Sequence, residues 1–159
     1  MIKMETLRAT FESLGFENVK SYINSGNLAF DTNEADDGKL AKEVHDVIQR
    51  DFGFDISVMV RPLAEIAKIV ANNPFEGKFE SHKDVHVFFL NDSLTDAQEA
   101  FLLEQGSENE MFAIFGRHVI CLLRISILDS MVGKGFIDKK LKVTATARNW
   151  RTVQKLAEL

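Results

Sequence analysis

Two short turn signals do most to limit what this chain can fold into. Asn24-Ser25-Gly26-Asn27 lies between runs of β-branched and aromatic residues within Asn18 to Asp31, and Gly116-Arg117 separates Met111–Phe115 from His118–Leu123. Each reads as a β-hairpin, because such turns need positive φ, which Gly and Asn adopt at least cost. Helical periodicity flanks both hairpins. Met4, Leu7, Phe11 and Leu14 recur at spacings of three and four ahead of the first, with Gly15 as a stop. Leu40, Val44, Val47 and Ile48 follow it and close at Gly53. Ile56 to Val60 then reads as a short strand, and Pro62 opens a helix with Leu63, Ile66 and Val70 that Asn72-Asn73-Pro74 ends.

The second half runs in the same order. Val85 to Leu90 is a nearly all-apolar strand, and Thr95 with Gln98 forms a capping box ahead of a helix carrying Phe101 and Leu102. After the hairpin come a helix around Leu128 to Lys140, an extended piece near Val143 to Thr146, and a last helix capped by Thr146, with Trp150, Val153 and Leu156 as its stripe. The second half is therefore β-α-β-β-α-β plus a terminal helix, and the first half is that pattern without its first strand. The expected fold is α+β: two tandem ferredoxin-like (split βαβ) subdomains with antiparallel or mixed sheets and a C-terminal helix. The boundaries read as 1–74, a charged linker at 75–84, and 85–159.

Composition narrows the function classes. The formal charge of −5 lacks the basic surplus that non-specific phosphate binding requires, which counts against nucleic acid as a partner. No apolar run has the length of a membrane span or a signal peptide. A single cysteine, Cys121, set among apolar neighbours, reads as a buried, inert thiol in a reducing compartment, so cytoplasm is the expected location.

Two stretches are distinctive: Asn18 to Phe30, around the first turn, and Ala145-Thr146-Ala147-Arg148-Asn149-Trp150-Arg151-Thr152-Val153 with Lys155 and Leu156. With Met4 and Leu7, they resemble domain-of-unknown-function family 1697, a group of small bacterial proteins. The resemblance spans almost the whole chain and implies the tandem α+β fold, but no established activity. Members usually carry a strand and a glycine-rich turn ahead of the first helix, and here the residues open at the helix. The expected consequence is an unpaired edge or a gap in the first sheet, which leaves a homodimer through that edge open as a partner. The Pro-Gly turn common in the family is also missing between Arg124 and Gly135.

Chemistry is mostly excluded. His82 and His86 are four apart, but no further ligands accompany them, so no metal site is expected, and no cofactor. Gly133-Lys134-Gly135 falls short of any phosphate-loop spacing and reads as a flexible turn. No nucleophile, base and oxyanion donor gather, and no reaction is assigned. The strongest candidate is a small anionic ligand, bearing phosphate or carboxylate, at the start of the last helix. Helix N-termini bind anions, and Thr144, Thr146, Arg148, Asn149 and Arg151 cluster there. Ser25 and Asn27 of the first turn are the second polar group assigned to that ligand site. The competing reading pairs the two arginines with acids and leaves the turn residues to turn chemistry.

Overall fold

The computed structural model describes residues 2–22 and 26–159. The chain divides into two compact units, one of Met1–Ile66 with Lys155–Leu159 and one of Ala67–Gln154. In the first unit, α1 (Met4–Ser13) buries Leu7 and Phe11 and ends before Gly15, whose φ of +91° turns the chain. Strands β1 (Glu17–Tyr22) and β2 (Asn27–Asp31) form the expected antiparallel hairpin. The register slips between Glu17 and Lys20, where Asn18 takes φ +52° and its side chain donates to Asp31 at 2.7 Å. The turn residues Asn24 and Ser25 lie outside the described residues.

Helix α2 (Asp37–Phe52) starts at Asp36, whose carboxylate accepts from the Lys39 backbone at 3.1 Å, and stops at Gly53 in the left-handed region. Its buried residues are Leu40, Val44, Val47 and Ile48, the stripe read from the sequence. They join Leu7, Phe11 and Phe16 in one core, where Phe16 and Phe30 stack at 4.2 Å and Phe11 meets both edge-on. The expected strand at Ile56–Val60 is not formed: those residues join no ladder, although Val58 and Val60 pack on this core. The first unit therefore contains a two-stranded sheet. Helix α3 (Leu63–Ala71) follows Pro62 as anticipated.

The second unit holds β3 (Val85–Leu90), α4 (Asp96–Glu104), β4 (Glu110–Phe115), β5 (His118–Leu123), β6 (Ala145–Asn149) and the opening of α5 (Trp150–Ala157). The strands order as β4-β5-β3-β6, every neighbour antiparallel, which is the arrangement of a split βαβ unit. Both inner strands, β3 and β5, are buried along their whole length. One face carries Phe88, Leu90, Val119, Cys121 and Leu123 into a core with Leu102 of α4 and Ile137 and Leu141 beyond β5. Phe101, expected on the core face of α4, is instead largely exposed, its ring tilted against Phe136 at 5.4 Å.

Two expectations for this half are corrected. The stretch around Leu128 to Lys140 is not one helix: it holds a short turn at Ile127–Asp129 and a single wide turn at Ile137–Leu141. Thr146 does not cap the last helix. Residues Ala145–Asn149 continue as β6 because the free edge of β3 offers backbone groups that need partners, and five residue pairs from His86↔Asn149 to Leu90↔Ala145 form there. The helix begins only at Trp150, with the Asn149 side chain accepting from the Thr152 backbone at 3.0 Å.

Candidate functional site

The segment after β5 is built from its own side chains. Ser126 accepts from the Leu128 backbone at 3.2 Å and starts the first turn. Ser130 is fully buried; its hydroxyl donates to the Ile127 carbonyl at 2.7 Å and accepts from the Gly133 backbone at 2.9 Å. Only glycine fits at 133, because a Cβ there would lie 1.6 Å from the Ile127 carbonyl oxygen. Glu110, at the start of β4, anchors the loop from the other side: both its carboxylate oxygens accept from the Met131 backbone, at 3.0 and 3.1 Å. Gly135 takes φ +92°, and the Lys139 side chain passes close over it.

This folding leaves an open cleft of about 400 Å³ in the second unit. Lys134, Lys139 and Lys140 are among the residues that line it, with Glu110, Asp129 and Phe136. Its volume lies toward the lower end of ligand pockets, which span roughly 300–1,000 Å³. Glu110 is committed to the Met131 backbone, which leaves the three lysines and Asp129 as the other charged lining residues. The buried Cys121 thiol lies on the core face of β5. Burial, with a smaller contribution from the Glu110 charge, pushes it far above its ordinary value, so it is not a nucleophile.

The residues predicted from the sequence divide into three groups. Thr146 and Arg148 alternate along β6 and so share one face of the strand, opposite Ala145 and Ala147, which pack on the core. Thr144 precedes β6 and uses its carbonyl to accept from the Asn91 backbone at 3.0 Å. Arg148 is half-buried and donates to the Ala147 carbonyl at 2.8 Å; desolvation holds its guanidinium below the ordinary value. Asn149 is the cap of α5, and Arg151 stands exposed in the helix's first turn. Asn27 belongs to β2 of the first unit, where it is buried and its amide donates to the Tyr22 carbonyl at 3.4 Å. Ser25 lies outside the described residues. The five C-terminal residues thus do not surround one helix start; they are distributed along a strand, its end and the following turn.

The lysines of the cleft were missed as ligand groups. Their trace in the sequence is Gly133-Lys134-Gly135, which reads as a flexible turn until Ser130 and Glu110 are seen to hold it. His82 and His86 do not share a helix face either, since His82 is in a short turn and His86 in β3. Among the described residues, no group of three or more His, Cys, Asp or Glu is placed to hold a metal ion, and no helix is long and apolar enough to cross a membrane.

Comparison with known proteins gives the fold a family. No curated protein matches the chain. Among solved structures, that of SP0830, a conserved bacterial protein from Streptococcus pneumoniae, is similar: TM-score 0.76 and 22% identity, covering 99% of this chain and 88% of that one. At that identity the likeness carries the fold alone. The model of the family described as protein of unknown function DUF1697 matches residues 1–119, three quarters of the length, and the chain belongs to that family.

Proposed function

We propose that the second unit binds a small anionic ligand, bearing phosphate or carboxylate, in the cleft beside β4. The observation that carries this is the presence of Lys134, Lys139 and Lys140 in the lining of one cleft whose backbone is held by Ser130 and Glu110. Ammonium groups on flexible stems suit a compact anion approached from several sides. A thermal-unfolding series with inorganic phosphate, pyrophosphate and citrate tests it. A ligand that binds only the folded state raises Tm by mass action, by about 2.7 kcal/mol of stability at one hundred times Kd. The expected result is a rise with one of these anions, abolished in the Lys134→Ala, Lys139→Ala double variant and kept in Arg151→Ala. No rise with any of them overturns the proposal.

A second reading keeps the anion at the junction of β6 and α5. The shared strand face of Thr146 and Arg148, with Arg151 exposed in the next turn, favours it. It predicts the reverse pattern, in which Arg151→Ala abolishes the rise and the lysine variant keeps it. Against single-stranded nucleic acid, the aromatics of the inner strand β3, Phe88 and Phe89, are buried and offer no stacking platform.

A further inference from the structure

Strand β4 is an edge of the second unit's sheet, paired with β5 on one side. Its ladder runs without a bulge from Glu110↔Leu123 to Phe115↔His118. A two-residue turn, Gly116-Arg117, joins the strands, so Phe115 and His118 exchange both backbone hydrogen bonds and the pattern alternates from there. Met111, Ala113 and Phe115 therefore turn their backbone groups toward β5, and Glu110, Phe112 and Ile114 turn theirs outward. Glu110 is satisfied locally: its carbonyl accepts from the Ser107 backbone at 2.8 Å, and its N–H donates to the Ser107 hydroxyl at 3.2 Å. Among the described residues, the outward backbone groups of Phe112 and Ile114 have no such partner.

The side chains do nothing to discourage a further strand. After Glu110, β4 reads Met-Phe-Ala-Ile-Phe, each residue half-buried, whereas the opposite edge, β6, carries Arg148 within it. Exposed edges are kept from pairing by charged residues, proline or a bulge. The charge that β4 has, Glu110, sits at the end that Ser107 already closes.

We propose that β4 is a homodimer interface: a second copy of this chain lays its own β4 antiparallel along this edge and joins the two four-stranded sheets. The outward groups fix the register. With Phe112 opposite the partner's Ile114, and Ile114 opposite the partner's Phe112, each pair exchanges both of its hydrogen bonds and every outward group of these residues is satisfied. Shifting the pairing by two residues brings up either Glu110, already bonded to Ser107, or Gly116 in the turn, at φ +60°. The two-fold axis then falls at Ala113. There the facing Cα atoms of a non-hydrogen-bonded pair approach to about 4.5 Å, and a methyl side chain leaves room for its own copy. Met111 lies opposite the partner's Phe115, a sulfur–aromatic pair. Beyond the strand, acidic Glu108 runs beside the partner's turn at Arg117, so the two ends are complementary in charge.

Sedimentation equilibrium and a pair of cysteine variants test this. The parent chain is expected to sediment at twice 18.0 kDa and to dissociate on dilution. Ile114→Pro removes an outward N–H and leaves the β5 ladder its donors, so it is expected to raise the dimer Kd by about tenfold or more. Ala113→Cys is expected to cross-link two copies through a disulfide under oxidised glutathione, because facing residues at the axis are within disulfide reach. Met111→Cys lies roughly 13 Å from its own copy in this register, and is expected not to cross-link; Cys121 is buried and does not compete. A chain that stays monomeric in sedimentation and leaves Ala113→Cys uncross-linked overturns the proposal. So does a dimer that a folded Ile114→Pro leaves intact, or one that cross-links through Met111→Cys and not through Ala113→Cys. If the proline variant does not fold, the two cysteine variants decide.

Discussion

His45 is held between two carboxylates, with Nε2 2.7 Å from Asp55 and Nδ1 3.2 Å from Asp46. The Asp55 hydrogen bond is the larger influence and the Asp46 bond the next, and together they raise the imidazole above its ordinary value of 6.5. A raised folded-state pKa means that the folded protein holds the proton more tightly than the unfolded chain. The stabilisation is therefore complete below about pH 6.5 and is lost as pH rises through the higher, folded value. An NMR titration of the His45 ring is expected to give a midpoint above 6.5, falling back toward it in Asp55→Asn and less so in Asp46→Asn. A midpoint unmoved by Asp55→Asn would dissolve the pair. Nothing in the sequence announces this contact, because it joins α2 to a residue ten positions on across a turn. Gly133 is similar: one glycine among nine in sequence, it is fixed by a carbonyl that comes within bonding distance of an added Cβ.

Elements with local punctuation were legible, and those decided by a neighbour were not. Helix α2 was legible because Gly53 and the apolar stripe agree, and the structure adds Asp36 as its cap. Helix α4 was too, since Thr95 and Gln98 exchange hydrogen bonds at 3.2 and 2.8 Å as a capping box. Gln98 adds a tertiary bond, donating to the Leu141 carbonyl at 2.8 Å, which ties α4 to the end of the cleft segment. Thr95→Ala is expected to cost about 1 kcal/mol in urea unfolding, and a loss below about 0.3 kcal/mol would mean that the cap is idle. The error at the C-terminus came from the opposite situation. Thr146 has the chemistry of a cap, and Trp150, Val153 and Leu156 have the right period, so the expected helix is three residues too long. The edge of β3 overrode that local preference, and Asn149 became the cap. The site prediction shifted with it, because Arg148 moved from a helix start to a strand face. The segment from Ser126 to Leu141 was opaque for the same reason: its shape depends on Glu110, some twenty residues earlier.

At the scale of the whole molecule, the two antiparallel hairpins were readable in the sequence, and the number of strands that join each sheet was not. An unpaired edge or a gap was expected in the first sheet; among the described residues that sheet has two strands, and the expected strand Ile56–Val60 joins no ladder. Stability should therefore be unevenly distributed. Hydrogen exchange reads local and global opening separately. The slowest amides are expected in β3 and β5, the two fully buried strands, where exchange requires unfolding of the whole second unit. Residues 56–60, with no ladder, are expected to exchange at nearly unprotected rates, and the outer edge of β2 only slightly more slowly. Protection of 56–60 comparable to β3 would mean that a ladder forms there in solution. Fast exchange confined to 56–60 and β2 would instead trace the opening to the two-stranded sheet and the segment that joins no ladder, even though Val58 and Val60 pack on the core.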